Sequence, residues 1–205
     1  MMNSTVVEAV LAAISGILAI IAGPSYLVGI IKGTVRPQRM TWFIFGALGV
    51  IAFIAQLDAG ASWSLVFSGL DLLGSLVVFG LSLWRGTGGS TRLDWLALTI
   101  ATIGMIVSVI AREPVVAILG VILADISGMW LTLVKVWRDP DSEIALTWLL
   151  FATAGVFGVL TIRHWTWGIV LYPAYLAAVN YTVPLVQTIR RRMLSRTESI
   201  KKLRV

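Results

Sequence analysis

The sequence predicts an all-α membrane protein: seven transmembrane helices, arranged as two parallel three-helix repeats joined by a linker helix. Three observations carry that expectation. The chain is 58% hydrophobic and 13% charged, where a soluble domain carries about 25% charged residues. Its apolar residues fall in blocks of about 17–25, the length of a helix crossing roughly 30 Å of hydrocarbon. The third is a repeat. Lys32 and Pro37 are matched by Lys135 and Pro140, and after a three-residue insertion Thr41-Trp42 meets Thr147-Trp148, Phe45 meets Phe151, Gly49 meets Gly155 and Val50 meets Val156. An ordered series of identities with one insertion in a charged loop reads as an internal duplication.

Only helices or closed barrels satisfy their backbone inside a bilayer, and the apolar blocks show no strict alternation, so helices are expected. The spans are placed at 6–31, 40–57, 62–84, 93–111, 114–136, 145–162 and 166–189. They group as a first bundle (1–90), a linker helix (91–112), a second bundle (113–192) and a basic tail (193–205). Met1 to Glu8 holds an acid and neither Lys nor Arg, the wrong polarity for a cleaved signal sequence. The first block is therefore expected to stay in place as a span.

Charge sets the orientation. With the N-terminus outside, all but Arg112 and Arg163 of the 16 Lys and Arg residues fall on cytoplasmic segments or on the tail, as the positive-inside rule asks. The expected location is the plasma membrane, multi-pass, with the C-terminus cytoplasmic. The net charge of +6 follows from that topology and calls for no nucleic-acid partner. The basic tail holds the orientation, and contact with anionic lipid is the alternative use for it. With no cysteine and one histidine, neither a transition-metal site nor a Ser–His constellation is expected. No lysine lies within the seventh span, which excludes a retinal protein. Neither cofactor nor enzymatic activity is expected.

In chain order, the first span carries Pro24, which removes an N–H and clashes with the preceding turn, so a kink and a hinge are expected there. Trp42 and Trp148 open the second and sixth spans and read as interface anchors. Asp71 in the third span and Asp125 at the centre of the fifth are carboxyls at a depth where pairing, hydration or protonation is needed. The fourth span has no counterpart in the repeat and reads as a linker. Three helices are odd in number, so the linker restores the orientation of the second trio, giving parallel repeats. Asp139, Asp141 and Glu143 read as a solvated acidic loop beside Lys135 and Arg138. Asp94 reads as a surface partner of Arg92. The seventh span holds His164 at its outer end, then Pro173, Tyr175, Asn180 and Pro184, as expected of an irregular helix lining a cavity.

The plan of three, one and three helices, the N-out topology and the duplicated first-helix stretch resemble the SWEET and PQ-loop transporter superfamily. The loop Arg36–Trp42, the pair Ala124-Asp125 and the Tyr172–Tyr175 stretch are similar to those of a bacterial seven-helix branch, a likeness that carries fold and no solute. By that resemblance the family's Pro-Gln position falls at Pro24-Ser25 and Ser127-Gly128. Pro37-Gln38 lies in a loop and is not that motif. Sugar facilitators of the family face their solute with a tryptophan and an asparagine from the third helix of each half. The resemblance puts Asn180 there in the second half and Asp71 in the first, where the spacing from Trp63 departs from the pattern. Intramembrane acids are similar to those of the proton-coupled, cystinosin-like branch.

The expected function is transport of a small polar solute by alternating access, with protons as a coupling partner. Asp71, Asp125 and Asn180 are the expected polar site residues, Tyr26, Trp130 and Tyr175 the walls, and Pro24 and Pro173 the hinges. The alternative is a non-transporting sorting receptor or assembly factor on the same fold, with both acids hydrogen-bonded to neighbouring helices.

Overall fold

In a computed structural model of the chain, the structure describes residues 4–58, 64–162 and 167–202, without the side chains of 4–5, 55–58, 64–71, 168–169 and 198–202. The described residues form seven α-helices and no strand: α1 (Ser4–Lys32), α2 (Arg39–Asp58), α3 (Ser64–Arg85), α4 (Arg92–Ile110), α5 (Pro114–Arg138), α6 (Ala145–Leu160) and α7 (Trp167–Lys202). A 3-10 turn at Pro140–Ser142 lies between α5 and α6. Among the described residues, three stretches, Val6–Lys32, Arg92–Ile110 and Pro114–Arg138, are helices long and apolar enough to cross a membrane.

Local chemistry explains the helix ends. Gly33 adopts a left-handed backbone (φ 77°) that an L side chain rarely takes. Thr34 N–H then reaches Gly29 O at 2.9 Å and Gly33 N–H reaches Ile30 O at 3.0 Å, which closes α1 with a Schellman motif. Thr91 and Asp94 cap each other's backbone at the start of α4, a reciprocal capping box. Pro114 opens α5, where its missing N–H leaves no bond unmade. Pro24, Pro173 and Pro184 lie inside α1 and α7, and the helices run on through them.

One boundary differs from expectation. The expected seventh span ends at 189 and a separate tail begins at 193, whereas α7 continues to Lys202. The sequence from Arg190 to Lys202 holds neither Gly nor Pro, and Arg, Met, Leu and Lys are good helix formers, so nothing there stops the helix.

The packing is crosswise. The third helix of each trio sits between the other two: α3 touches α1 and α2, and α7 touches α5 and α6. The first helix of each trio packs against the second helix of the other, α1 on α6 and α5 on α2. Helix α4 lies chiefly along α5. There Gly104 and Gly120 face each other so closely that a Cβ on either would stand 2.5 Å from the other's carbonyl oxygen, the close approach that small residues permit. One apolar core joins Tyr26, Ile30, Val78, Met129, Trp148 and Val183; a second joins α2, α4 and α5 through Ile44, Ala101 and Ala124.

Candidate functional site

Two groups of buried polar side chains stand out against this apolar background. The first lies in the middle of α5. Asp125 is buried, and its Oδ2 accepts a hydrogen bond of 2.6 Å from the Tyr175 hydroxyl of α7. The Tyr172 ring stacks on that of Tyr175 with centroids 6.2 Å apart. An acid at this depth needs such a partner, because a buried polar group without one costs several kcal/mol (on the order of 2–7).

The second group lies where α1, α3 and α5 end. The Glu143 side chain is fully buried and that of Lys135 nearly so, and the two form an ion pair. Tyr26 of α1 donates to Glu143 Oε1 at 2.9 Å, and Trp148 of α6 donates its indole N–H to Oε2 at 2.9 Å. Gln187 of α7, also buried, donates to the Glu143 backbone oxygen at 2.8 Å and to that of Pro140. One carboxylate thus draws in donors from α1, α5 and α6, and α7 holds its backbone. At the surface beside it, Arg36 pairs with Asp139, and Arg191 with Asp141 at 2.7 Å.

Several expectations change here. Glu143 is not part of a solvated acidic loop: the ammonium of Lys135 and two neutral donors replace its water, while Asp139 and Asp141 do stay at the surface. Trp148 is 4% exposed and is not an interface anchor, because its N–H is used by Glu143. Trp42 is only partly buried, and its ring packs on Tyr26 with centroids 5.2 Å apart and on Phe45 at 5.6 Å. Asp94 does not pair with Arg92 at the surface. It is 1% exposed and accepts from Thr91, Gly89 and the Gln38 side chain. Gln38 in turn receives Thr41 N–H at 2.9 Å, so the buried Pro37-Gln38 pair fastens the start of α2 to the start of α4.

Of the site residues expected from sequence, the structure brings Asp125 and Tyr175 together. Tyr26 is engaged with Glu143 instead. Asn180 donates to Leu176 O of its own helix at 2.8 Å. Trp130 is 54% exposed and borders a groove of about 300 Å³ between α4 and α5, lined with Leu96, Ile100, Leu123 and Ile126. A second groove, of about 320 Å³, lies between α6 and α7 and is likewise apolar. Pro24 is exposed on α1 and Pro173 half-buried on α7. The Asp71 side chain, Trp63 and His164 lie outside the described residues. Sequence reasoning missed Lys135, Glu143 and Gln187 as a buried group. It also missed the Thr91-x-x-Asp94 spacing, a helix-start signature that was there to be read.

No family model, no curated protein and no solved structure matches the chain.

Proposed function

We propose that the chain is a seven-span membrane transporter of a small polar solute, built as two parallel three-helix repeats that rock against each other around a site near Asp125. The observation that carries this reading is the crosswise packing. Exchanging α1, α2 and α3 with α5, α6 and α7 turns each described contact within and between the trios into another described contact. Hydrogen bonds follow the same exchange: Thr41 Oγ1 donates to Gly128 O at 2.6 Å, and Thr147 Oγ1 lies 3.0 Å from Ser25 Oγ. Thr41 matches Thr147, and Ser25 matches Gly128 in the register that pairs Lys32 with Lys135. The halves therefore meet along two related seams, α1 with α6 and α2 with α5, which is the geometry a rocking motion needs.

Asp125 is the group on which coupling to protons would act, with Tyr175 as the hydroxyl that responds to its charge. The test uses proteoliposomes with an internal pH dye, challenged in turn with monosaccharides, amino acids and polyamines under an imposed pH gradient. Solute-dependent proton entry is expected for one of these classes, and Asp125→Asn, which keeps a hydrogen-bonding group but cannot titrate, is expected to abolish it while exchange of the solute survives. Proton entry unchanged in the Asn variant removes Asp125 from the mechanism. The engagement of Asp125 by Tyr175, together with the apolar lining of both grooves, favours a second reading, a non-transporting membrane scaffold. That reading expects no protein-dependent flux for any of these solutes.

A further inference from the structure

The end of α1 and the loop after it are tied to the second half by polar contacts that apolar packing does not require. Tyr26 donates to Glu143 Oε1 at 2.9 Å. Lys135 Nζ donates to Arg36 O at 2.6 Å, and Arg36 N–H donates to Ser142 O at 2.9 Å. The Arg36 guanidinium pairs with Asp139. Each of these bonds runs from α1 or residues 33–38 to α5 or residues 139–144.

We infer that Tyr26 and Arg36 form a latch that closes the bundle at the Lys32 end, and that the latch breaks when this end opens. The inference deepens the alternating-access reading and rests on it. The distribution of partners supports a latch rather than permanent glue. Glu143 keeps Lys135, Trp148 and Gln187 when Tyr26 withdraws, and all three belong to the second half. The buried carboxylate is therefore never orphaned, which is the costly outcome for such a group. Arg36 and Asp139 have side chains 48% and 38% exposed, so water replaces their pairing at small cost. Helix α1 can leave with the Glu143 carboxylate still paired, while the Ser142 carbonyl and the Thr147 hydroxyl, which lose Arg36 N–H and Ser25, meet the water that enters as this end opens. Tyr26 is then a gate residue, and the Glu143–Lys135 pair is the fixed post it closes on.

The chain has no cysteine, so a single introduced thiol reports access cleanly. Ala22 is fully buried in α1, one turn deeper than Tyr26. Ala22→Cys is labelled with a membrane-impermeant maleimide in vesicles of each orientation. Tyr26→Phe is expected to raise labelling from the Lys32 side about tenfold, the equilibrium shift that one lost hydrogen bond gives, and Arg36→Gln about two- to fivefold, the shift that an exposed ion pair gives; both are expected to lower it from the opposite side. The charge exchange Arg36→Asp with Asp139→Arg is expected to restore protection, a rescue that mere loosening does not produce. If the parent Ala22→Cys protein labels from the opposite side and neither variant gains labelling from the Lys32 side, the latch is wrong and transport stands. An equal rise from both sides also overturns the latch. Absence of labelling from either side in every variant overturns the latch and the alternating-access reading together.

Discussion

Glu143→Gln is expected to be among the costlier single substitutions in the chain, and a second substitution beside it is expected to recover part of the loss. The Gln side chain fits the same space and still accepts from Tyr26. The Lys135 ammonium, which donates to that same oxygen, now meets a neutral amide instead of a carboxylate, and where Oε2 accepted the Trp148 N–H an amide NH2 now faces it. Removing one partner of a buried ion pair costs about 3–5 kcal/mol, because the other charge stays buried without compensation. Lys135 retains Arg36 O and its side chain is 9% exposed, so the lower end of that range, about 3 kcal/mol, applies. The lost Trp148 bond adds about 1 kcal/mol. Lys135→Met in the same chain removes the uncompensated charge and leaves mainly the Trp148 loss. The double variant is thus expected to be about 3 kcal/mol more stable than Glu143→Gln alone, the opposite of what independent losses would give. The assay is denaturant unfolding in mild detergent, run as a four-member cycle. Additive losses in the double variant would falsify the ion pair as the dominant bond at this site.

Two further predictions concern packing. A Cβ at Gly120 would stand 2.5 Å from Gly104 O and 2.7 Å from Ser108 N. Gly120→Ala should therefore push α4 off α5 and cost about 1–3 kcal/mol, while Gly16→Ala, which meets nothing within 4 Å, should be neutral or stabilising by about 0.5–1 kcal/mol; thermal unfolding in detergent reads both, and equal effects would mean that α4 and α5 do not pack so closely. Gln187→Leu leaves the Glu143 carbonyl without its α7 donor and that of Pro140 with only the Arg191 guanidinium at 3.5 Å, at about 1–3 kcal/mol for the Glu143 group. Limited proteolysis should then cut within residues 139–144 faster than in the parent protein, and an unchanged rate would show that Gln187 does not secure that loop.

The helices were legible because each arises from a contiguous apolar block. Apart from the end of α7, no end lies more than two residues from the expected span. The buried polar group was not legible, and the reason is tertiary. Glu143 follows Lys135, Arg138, Asp139 and Asp141 in a charged stretch of sequence, and it takes Tyr26, brought from α1, and Trp148, turned inward from α6, together with the Lys135 ammonium, to replace its water. Trp148 looked like an interface residue because its position at a helix start is compatible with one. Its ring instead packs edge-on against Tyr26 at 6.1 Å. Asp125 was legible as a problem, a carboxyl far from either end of its helix. Tyr175 as its partner could only be narrowed to the hydroxyls of neighbouring helices.

The unequal ends of α3 and α7 follow from one requirement shared by the two halves. Pro37 and Pro140 occupy matching places in the sequence register that pairs Lys32 with Lys135, and each is fully or nearly buried with a carbonyl that needs a donor. In the first half α3 ends at Arg85, and the chain turns back so that Thr87 N–H meets Pro37 O at 2.9 Å. Gly86 permits that turn, since a Cβ there would stand 2.6 Å from Pro37 O. In the second half the donor is the Gln187 side chain, supplied from within α7, so the backbone need not turn and the helix is free to continue. The same demand is met once by a loop and once by a side chain. That difference lets α3 give way to the turn that leads into α4, while α7 continues past Arg191 to Lys202.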